Sequence, residues 1–394
     1  MKYINDLDLI GKRVFIRCDF NVPLDENGNI TDDNRIKQVL TTIEYAIDNK
    51  AKVILASHLG RPKGKKNPKY SLSPVAKRLS TLLKRDVEFV DDCIGNKVLS
   101  RVEALKNGDV LLLENLRFYE GEEKNSQEFA QELKKLFDIY INDAFGVCHR
   151  KHASVHALVK ISDIAAGGFL LKRELEYFDK VLNSTEKPFV AVIGGAKVSG
   201  KLECLINLID KADKIIIGGA QAFTFLKALG YEVGKSLVED DLTDTALEII
   251  EKAKKSSVKF YLPVDFVCAD SIDDTLNYET KTYQEIPKDK MGLDIGEASC
   301  ALFKEVLQDA KTIVWNGPMG VFEVDAFANG TKKIAKAIGE SRALSVVGGG
   351  DTAEAVQKVG ESSNMSYIST GGGASLELLE GKSLPAIEAL KEKE

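Results

Sequence analysis

Short apolar runs alternate with segments of helical period along most of this 394-residue chain. Between two such runs, for example, apolar residues recur at a spacing of three or four as Ile36, Val39, Leu40 and Ile43. This alternation is typical of parallel β-sheets that are covered by helices on both faces. It predicts one series of strands at 13–17, 52–56, 87–90, 109–113 and 139–141, and a second at 189–193, 214–217, 259–262, 312–315, 344–347 and 367–368.

Two series of strands in a chain of this length predict two domains, because one hydrophobic core rarely organises more than ~250 to 300 residues. We therefore expect an α/β protein with two doubly wound, Rossmann-like parallel-sheet lobes. The boundary is expected in the helix-like stretch 171–182, which follows the pair Gly167 and Gly168. This division gives an amino-terminal lobe at 1–170 and a second lobe at 171–377, joined by a helical hinge.

Charge and composition limit the partners of the chain. Its formal net charge is −6, so no overall positive field favours nucleic acid as a partner. The amino terminus has no apolar core of signal-peptide length, and no apolar stretch approaches the ~18 residues of a membrane span. Six scattered cysteines without a CxxC pair suit reduced, packed thiols. We expect a cytoplasmic protein that binds neither nucleic acid nor a membrane.

Basic side chains follow four strands of the first series, where ligands of open parallel sheets bind. They are Arg17, His58 with Arg61, Arg117, and His149 with Arg150, and Arg35 follows a turn-rich segment. Because the arginine fork binds carboxylate and phosphate in bidentate fashion, their convergence predicts a site for a small polyanion. Asp19 and Asn21 would either hold substrate hydroxyls or cap the turn at Pro23. His58 is expected to hydrogen-bond an anion without transferring a proton.

The loops of the second series are rich in glycine instead. The segment GGAKVSGK at 194–201 nearly matches the phosphate-binding pattern GxxxxGK(S/T), but Leu202 stands where the Mg²⁺-binding hydroxyl belongs. Lys197 and Lys201 are four residues apart, so on a helix that begins near the glycines they would face one side. That arrangement predicts a grip on successive phosphates.

Two further loops of the second series complete this prediction. Asp351, between three glycines and Thr352, would supply the Mg²⁺ ligand that Leu202 cannot. Glu323 would either reach a ribose hydroxyl or serve as an acid at a helix start. Stacked amides at the start of another predicted helix would stabilise a transferring phosphoryl group, and they belong to Gly371, Gly372 and Gly373.

Seven motifs, in order along nearly the whole chain, closely resemble those of phosphoglycerate kinases. They are RCDFNVP at 17–23, SHLGRP at 57–62, ENLRF at 114–118, DAFGVCHR at 143–150, WNGPMGVFE at 315–323, GGGDT at 348–352 and STGGGASLELLEG at 369–381. The resemblance implies reversible phosphoryl transfer from 1,3-bisphosphoglycerate to MgADP, which gives 3-phosphoglycerate and ATP in glycolysis and gluconeogenesis. It also implies a monomer whose last residues, 378–394, return to the first lobe.

The resemblance assigns each substrate to one lobe. The 3-phosphoglycerate contacts carried over to the first lobe are Asp19, Asn21, Arg35, His58, Gly60, Arg61, Arg117 and Arg150. The nucleotide contacts in the second lobe are Lys197, Lys201, Gly292, Asn316, Glu323, Gly349, Gly350, Asp351 and Thr352, with Asp351 as the Mg²⁺ ligand. We expect Arg35, Lys197 and the amides of 371–373 to surround the phosphoryl group in flight. The lobes must then close, because direct transfer needs reacting atoms within ~3 to 3.5 Å.

Two departures from the family and two alternative functions remain open at this stage. Gly200 stands where the family usually has aspartate, which leaves the orientation of Lys201 open, and Cys148 replaces a smaller side chain. A P-loop NTPase would use 195–201 but needs a hydroxyl at position 202. A two-lobed nucleotide or anion sensor without turnover would fit the hinge, but it leaves the pairing of Lys197 with Asp351 unexplained.

Overall fold

In the computed structural model, which describes residues 1–393, each predicted series of strands belongs to a six-stranded parallel sheet. The strands are β1 Arg13–Cys18, β2 Lys52–Ala56, β3 Glu88–Val90, β4 Val110–Leu113, β5 Ile139–Asp143, β6 Ala165–Gly167, β7 Phe189–Ile193, β8 Lys214–Ile217, β9 Lys259–Tyr261, β10 Asp265–Ala269, β11 Glu279–Thr282, β12 Met291–Ile295, β13 Thr312–Asn316, β14 Leu344–Gly348 and β15 Tyr367–Ile368. The prediction of two parallel-sheet α/β domains is confirmed.

Helices follow most of these strands, as the alternating pattern predicts. They are α1 Asn34–Asp48, α2 Ser73–Leu83, α3 Asn96–Ala104, α4 Glu120–Glu123, α5 Gln127–Lys134, α6 Ala157–Ile161, α7 Phe169–Leu182, α8 Leu202–Ile209, α9 Gln221–Ala228, α10 Thr243–Lys255, α11 Glu297–Gln308, α12 Asn329–Glu340, α13 Gly350–Val359, α14 Gly372–Leu379 and α15 Pro385–Lys391. Among the described residues, no helix combines the length and the apolar character that a membrane span requires.

Strand order determines which loops meet at each sheet edge. The first sheet runs β3-β4-β2-β1-β5-β6, so the loops after β1, β2 and β5 are neighbours. The second runs β15-β14-β13-β7-β8-β9, which brings the loops after β7, β8 and β13 together. Strands such as β2 and β7 are almost entirely buried because helices cover both faces of a parallel sheet.

A small three-stranded sheet in the second half was not predicted. Its order is β11-β10-β12, and both of its pairs are antiparallel. Strand β11 has the sequence ETKT and contains no apolar residue, so it gives no hydrophobic signal. The short strand β6, with sequence AAG, was missed for a similar reason, since alanine and glycine have low β-propensity.

The chain divides into two compact units within α7. The first unit comprises Met1–Glu176 together with the segment that begins at Ser383, and the second unit comprises Tyr177–Lys382. Within the first unit, α15 packs against α6, and the Ala386 amide donates to the Cys148 carbonyl over 3.2 Å. The boundaries expected from the sequence, 170 and 378, are a few residues earlier. Helical period alone does not show at which residue of α7 one unit ends and the other begins.

Candidate active site

Functional side chains of the first unit converge at the carboxyl edge of its sheet. Asp19 and Asn21 follow β1, and His58 and Gly60 follow β2. Arg117 lies in a single 3₁₀ turn, Leu116–Phe118, after β4, and Arg150 follows β5. These loops belong to adjacent strands, so the predicted 3-phosphoglycerate contacts share one sheet edge.

Arg35 is held against this edge by Asp19. It lies in the first turn of α1, and its Nη1 atom donates to Asp19 Oδ2 over 2.7 Å. Burial opposes ionisation of Asp19, but the neighbouring cations, chiefly the guanidinium groups of Arg35 and Arg17, outweigh that effect and lower the pKa of the carboxyl to about 2. Asp19 is therefore ionised at neutral pH, and its bond to Arg35 involves one of the five N–H donors of the guanidinium.

His58 is buried among these charges and is neutral. Its Nδ1 atom lies 3.4 Å from Arg17 Nη2 and 3.9 Å from Asp19 Oδ1. Although Asp19 favours the protonated ring, burial and the neighbouring guanidinium groups lower the pKa of His58 well below its usual range. A neutral imidazole suits hydrogen bonding and not proton donation.

Asn21 and Arg117 both bind the backbone of Gly60. The Gly60 amide donates to Asn21 Oδ1, and Arg117 Nη1 donates to the Gly60 carbonyl, each over 2.8 Å. Gly60 has φ +60°, and a Cβ atom there would lie 2.4 Å from the Tyr70 ring. These contacts fix the turn that carries Arg61, whose side chain is exposed.

Arg17 differs from its expected role. The whole residue is buried, its Nε donates to Ser154 Oγ over 2.8 Å, and its Nη2 lies 3.8 Å from Glu122 Oε1. A guanidinium so enclosed is not accessible to a ligand. Ser154 and Glu122 both lie more than 100 residues away in the sequence, so no local pattern distinguishes the internal Arg17 from the partly exposed Arg35.

Two histidines near Arg150, His149 and His152, contribute to the same environment, although the sequence placed neither among the substrate contacts. Arg150 Nε donates to His149 Nε2 over 3.1 Å. The Nδ1 atoms of both His149 and His152 are buried and make no hydrogen bond within the described residues. Burial and the charges of Arg117, Arg17 and Arg150 lower the pKa of His152 to about 3. The available signal was the spacing of the two histidines around Arg150.

Glycines of the second unit pack backbone against backbone beneath the phosphate-loop segment. A Cβ atom at Gly194 would lie 2.2 Å from the Pro318 carbonyl oxygen, and one at Gly219 would lie 2.4 Å from the Gly195 carbonyl oxygen. Gly219 and Gly195 also have positive φ angles, +69° and +115°. The loops after β7, β8 and β13 can approach one another only because these residues lack side chains.

Lys197 and Lys201 do not share a helix, which corrects the expectation from their spacing. Helix α8 begins at Leu202, so both lysines lie in the preceding loop, with Lys201 as the N-cap residue. Lys201 Nζ donates to Asn316 Oδ1 at the end of β13, and burial lowers the pKa of the ammonium group. Asn316 Nδ2 is buried without a partner among the described residues, and Lys197 is exposed.

A cleft of about 420 Å³ opens beside this loop within the second unit. Three of the predicted nucleotide contacts line it: Gly292, Glu323 and Asp351. Its inner wall is apolar and is formed by Phe223, Phe266, Met291, Leu293, Met319 and Val321. Gly292 permits the close approach of Phe223, since a Cβ atom there would lie 2.2 Å from the ring. The cleft offers an apolar surface for a flat base and polar groups at its edge.

Two helix N-termini meet near Asn316. Gly349 is the N-cap of α13 with φ +95°, and a Cβ atom at Gly372 in α14 would lie 3.6 Å from the Gly350 amide nitrogen. Unpaired amides and helix dipoles at such ends favour an anion. The Gly371 amide already donates to Ser369 Oγ over 3.1 Å, which leaves the amides of Gly372 and Gly373 as the first of α14.

Thr352, a predicted nucleotide contact, instead has its hydroxyl engaged within the protein. It is buried, and its Oγ1 accepts a 2.7 Å hydrogen bond from the Gly317 amide. The residue thus supports the turn that follows Asn316, whereas neighbouring Asp351 is exposed at the cleft.

Cys148, in the first unit, is also buried. Burial raises the pKa of its thiol to about 12, so the thiol is not reactive.

Replacing Gly200 with aspartate, the residue usual in the family, should have little effect. A Cβ atom at Gly200 would meet nothing closer than the Lys197 carbonyl oxygen at 3.8 Å, and Asn316 already orients Lys201. For Gly200→Asp we expect the KM for MgADP to change less than about fivefold, because exposed charges contribute at most ~1 kcal/mol. Steady-state kinetics would test this, and a tenfold change would show that Gly200 matters.

Comparisons with known proteins agree with these features. A model of the phosphoglycerate kinase family matches residues 4–382. The phosphoglycerate kinase of Geobacter metallireducens is 59% identical over 393 residues, with 100% of this chain and 99% of that protein covered. That of Nitratiruptor sp. is 58% identical over 394 residues, with coverage of 99% and 98%.

Solved structures give the same match. The phosphoglycerate kinase from Coxiella burnetii has a TM-score of 0.90 and 43% identity, and the alignment covers 99% of each chain. The enzyme from Pyrococcus horikoshii has a TM-score of 0.88 and 34% identity, with 100% of each chain covered.

Proposed function

The chain belongs to the phosphoglycerate kinase family, and we propose that its first unit binds 3-phosphoglycerate and its second unit binds the nucleotide. The enzyme catalyses reversible phosphoryl transfer from 1,3-bisphosphoglycerate to ADP, a step of glycolysis. The observation that carries the assignment of the units is the chemical contrast between the two sheet edges. One edge carries arginines around a neutral histidine, and the other carries lysines, glycine turns and an apolar cleft.

In the first unit, the proposed substrate ligands are the eight residues expected from sequence. The direct contacts of Asp19 with Arg35, and of Asn21 and Arg117 with Gly60, support this proposal. Guanidinium groups that cannot lose their charge at neutral pH are suited to a substrate that bears both a phosphate and a carboxylate. Asp19 and Asn21 would hold the hydroxyl of such a substrate.

In the second unit, the apolar cleft would take the base, and Glu323 at its edge would reach a ribose hydroxyl. Lys197, Lys201 and the starts of α13 and α14 would bind the phosphates. The contact between Lys201 and Asn316 supports this arrangement, as does the proximity of the α14 start to Gly350. Thr352 would act by holding the turn at Gly317.

The chemical step requires alignment and charge neutralisation. The attacking oxygen, a carboxylate in one direction and an ADP phosphate in the other, is already ionised, so no protein base is needed. Arg35, Lys197 and the amides at the start of α14 would stabilise the charge of the transferring group. The proposal requires the two bound substrates to come within ~3 to 3.5 Å of each other for in-line transfer.

Asp351 is the proposed ligand for the Mg²⁺ ion that accompanies the nucleotide. Asp351 is exposed and lines the cleft, and its negative charge favours the protonated form of Lys201. Mg²⁺ commonly binds through one or two carboxylates together with substrate phosphates, so this donor suits the ion. When bound, Mg²⁺ would neutralise phosphate charge.

Replacing Asp351 with asparagine should therefore raise the Mg²⁺ concentration required for half-maximal activity. We expect a shift of roughly tenfold or more, because a neutral amide is a much weaker ligand for a hard cation. Magnesium titrations at saturating ADP would measure the shift. The variant Glu354→Gln removes a negative charge one turn further along α13 and should leave the requirement unchanged; an equal shift in both variants would argue against direct coordination.

A coupled assay tests the function itself. MgATP, 3-phosphoglycerate and the protein are mixed, and 1,3-bisphosphoglycerate formation is followed through NADH oxidation. We expect activity only when both substrates are present. Hydrolysis of ATP alone would favour a P-loop NTPase, and binding without turnover would favour a sensor. Neither alternative is favoured, because the relatives are named as kinases and Leu202 opens α8.

The remaining properties are also proposals. The enzyme acts on small-molecule substrates, and we propose that it does so as a cytoplasmic monomer without nucleic acid or membrane partners. Gel filtration with light scattering at micromolar concentration would test the oligomeric state.

A further inference from the structure

The loop that carries Lys197 and Lys201 is anchored by a carboxylate outside the predicted site. The Ser199 amide donates to Glu239 Oε2 over 3.0 Å, and Ser199 Oγ donates to Glu239 Oε1. Although partial burial opposes ionisation, these bonds, a bond from the Val198 amide and the charge of Lys197 lower the pKa of Glu239. The anchor therefore holds the two residues midway between the lysines.

Glu239 is itself fixed to the body of the second unit. Its amide donates to Thr224 Oγ1 over 3.1 Å, and Thr224 is buried in α9. The next residue, Asp240, forms an ion pair of 2.6 Å with Lys227 of the same helix. By contrast, Gly200 contributes no side chain, and a Cβ atom there would meet only the Lys197 carbonyl oxygen at 3.8 Å. The side-chain contact that holds the loop at 198–199 therefore comes from Glu239.

The sign of the Glu239 charge makes this contact informative. A carboxylate close to Lys197 repels an incoming polyphosphate, so electrostatics alone would weaken nucleotide binding. Its two hydrogen bonds from Ser199 have the opposite effect if they hold the lysines in the binding geometry and so reduce the entropy lost on binding. The two roles predict opposite outcomes when the charge is removed.

We propose that Glu239 is a positioning residue for the nucleotide, which acts through Ser199 to preorganise the loop of Lys197 and Lys201. This inference rests on the proposed phosphate-binding role of the two lysines. It assigns Glu239 no contact with the substrate.

The test compares Glu239→Gln, Ser199→Ala and the double variant with the unsubstituted enzyme. In Glu239→Gln we expect the KM for MgADP to rise roughly tenfold, because at least one donor of the loop loses its acceptor. The KM for 1,3-bisphosphoglycerate should stay unchanged. Ser199→Ala should have a smaller effect, and the effects should not add, since both substitutions break the same contact. The charge control is Asp241→Asn at an exposed position of the same segment, which should not raise the KM.

The outcomes separate positioning from charge and from the proposed function. An unchanged or lowered KM for MgADP in Glu239→Gln would overturn the positioning role. Lys201→Met, measured in parallel, tests the basis of the proposal. If it raises the KM for MgADP while Glu239→Gln does not, only the positioning role is wrong; if neither does, the phosphate-binding assignment fails as well. Thermal unfolding of each variant excludes a general loss of structure as the cause.

Discussion

Replacing Arg35 with alanine should reduce kcat by on the order of a hundredfold or more while the fold persists. The residue is partly exposed in the first turn of α1, and it contacts the sheet edge through its ion pair with Asp19. Loss of the guanidinium removes a donor that we expect to act on the charge of the transferring phosphoryl group. Steady-state and single-turnover kinetics would measure the loss, and circular dichroism would confirm folding.

Two control variants sharpen this prediction. Arg101→Ala removes an exposed arginine that pairs with Glu88 over 3.1 Å, and it should leave kcat unchanged. Arg35→Lys keeps the charge but not the planar fork, so it should recover only part of the activity. Near-normal turnover in Arg35→Ala would remove Arg35 from the mechanism. A rise in the KM for 3-phosphoglycerate at constant kcat would restrict it to binding.

The two sheets were predictable because parallel strands are buried on both faces and therefore appear as apolar runs. Strands β2, β7 and β8 have the predicted bounds. The same topology made the site partly predictable, since residues after adjacent strands meet whatever their distance in sequence. Asp19 and His58 are 39 positions apart in the sequence, and the order of β1 and β2 brings them together.

Features that depend on distant partners could not be read from the sequence. Arg17 and Arg35 were both expected at the anion site, but Ser154 and Glu122 contact only Arg17 and enclose it. The helical spacing of Lys197 and Lys201 was misleading because the loop is held by Glu239 until α8 begins. Antiparallel β11 gave no hydrophobic signal because it is an edge strand and all four of its side chains are polar.

Replacing Gly219 with alanine should cause a large loss of nucleotide affinity, whereas the same change at Gly200 should be nearly neutral. A Cβ atom at Gly219 would lie 2.4 Å from the carbonyl oxygen and 2.6 Å from the amide nitrogen of Gly195, and its φ of +69° disfavours a side chain. Backbone atoms cannot rotate away, so the loop must shift at a cost on the order of 1–3 kcal/mol.

This shift should be expressed mainly in the second unit's nucleotide site. Gly195 begins the segment that carries Lys197 and Lys201, so a displaced backbone would shift both lysines, including the contact of Lys201 with Asn316. We expect kcat/KM for MgADP to fall by roughly a hundredfold in Gly219→Ala, given that ~1 Å of misplacement can cost that much. The KM for 1,3-bisphosphoglycerate should change far less, because its proposed ligands lie in the first unit.

Gly200→Ala provides the matched control, since its Cβ atom would meet only the Lys197 carbonyl oxygen at 3.8 Å. It should leave kcat/KM within about twofold and raise stability by ~0.4–1 kcal/mol, because alanine restricts the unfolded chain. Steady-state kinetics with MgADP and chemical unfolding would measure kcat/KM and stability for the two variants. Equal losses in the two variants would mean that close backbone packing at Gly219 is not the reason this site needs glycine.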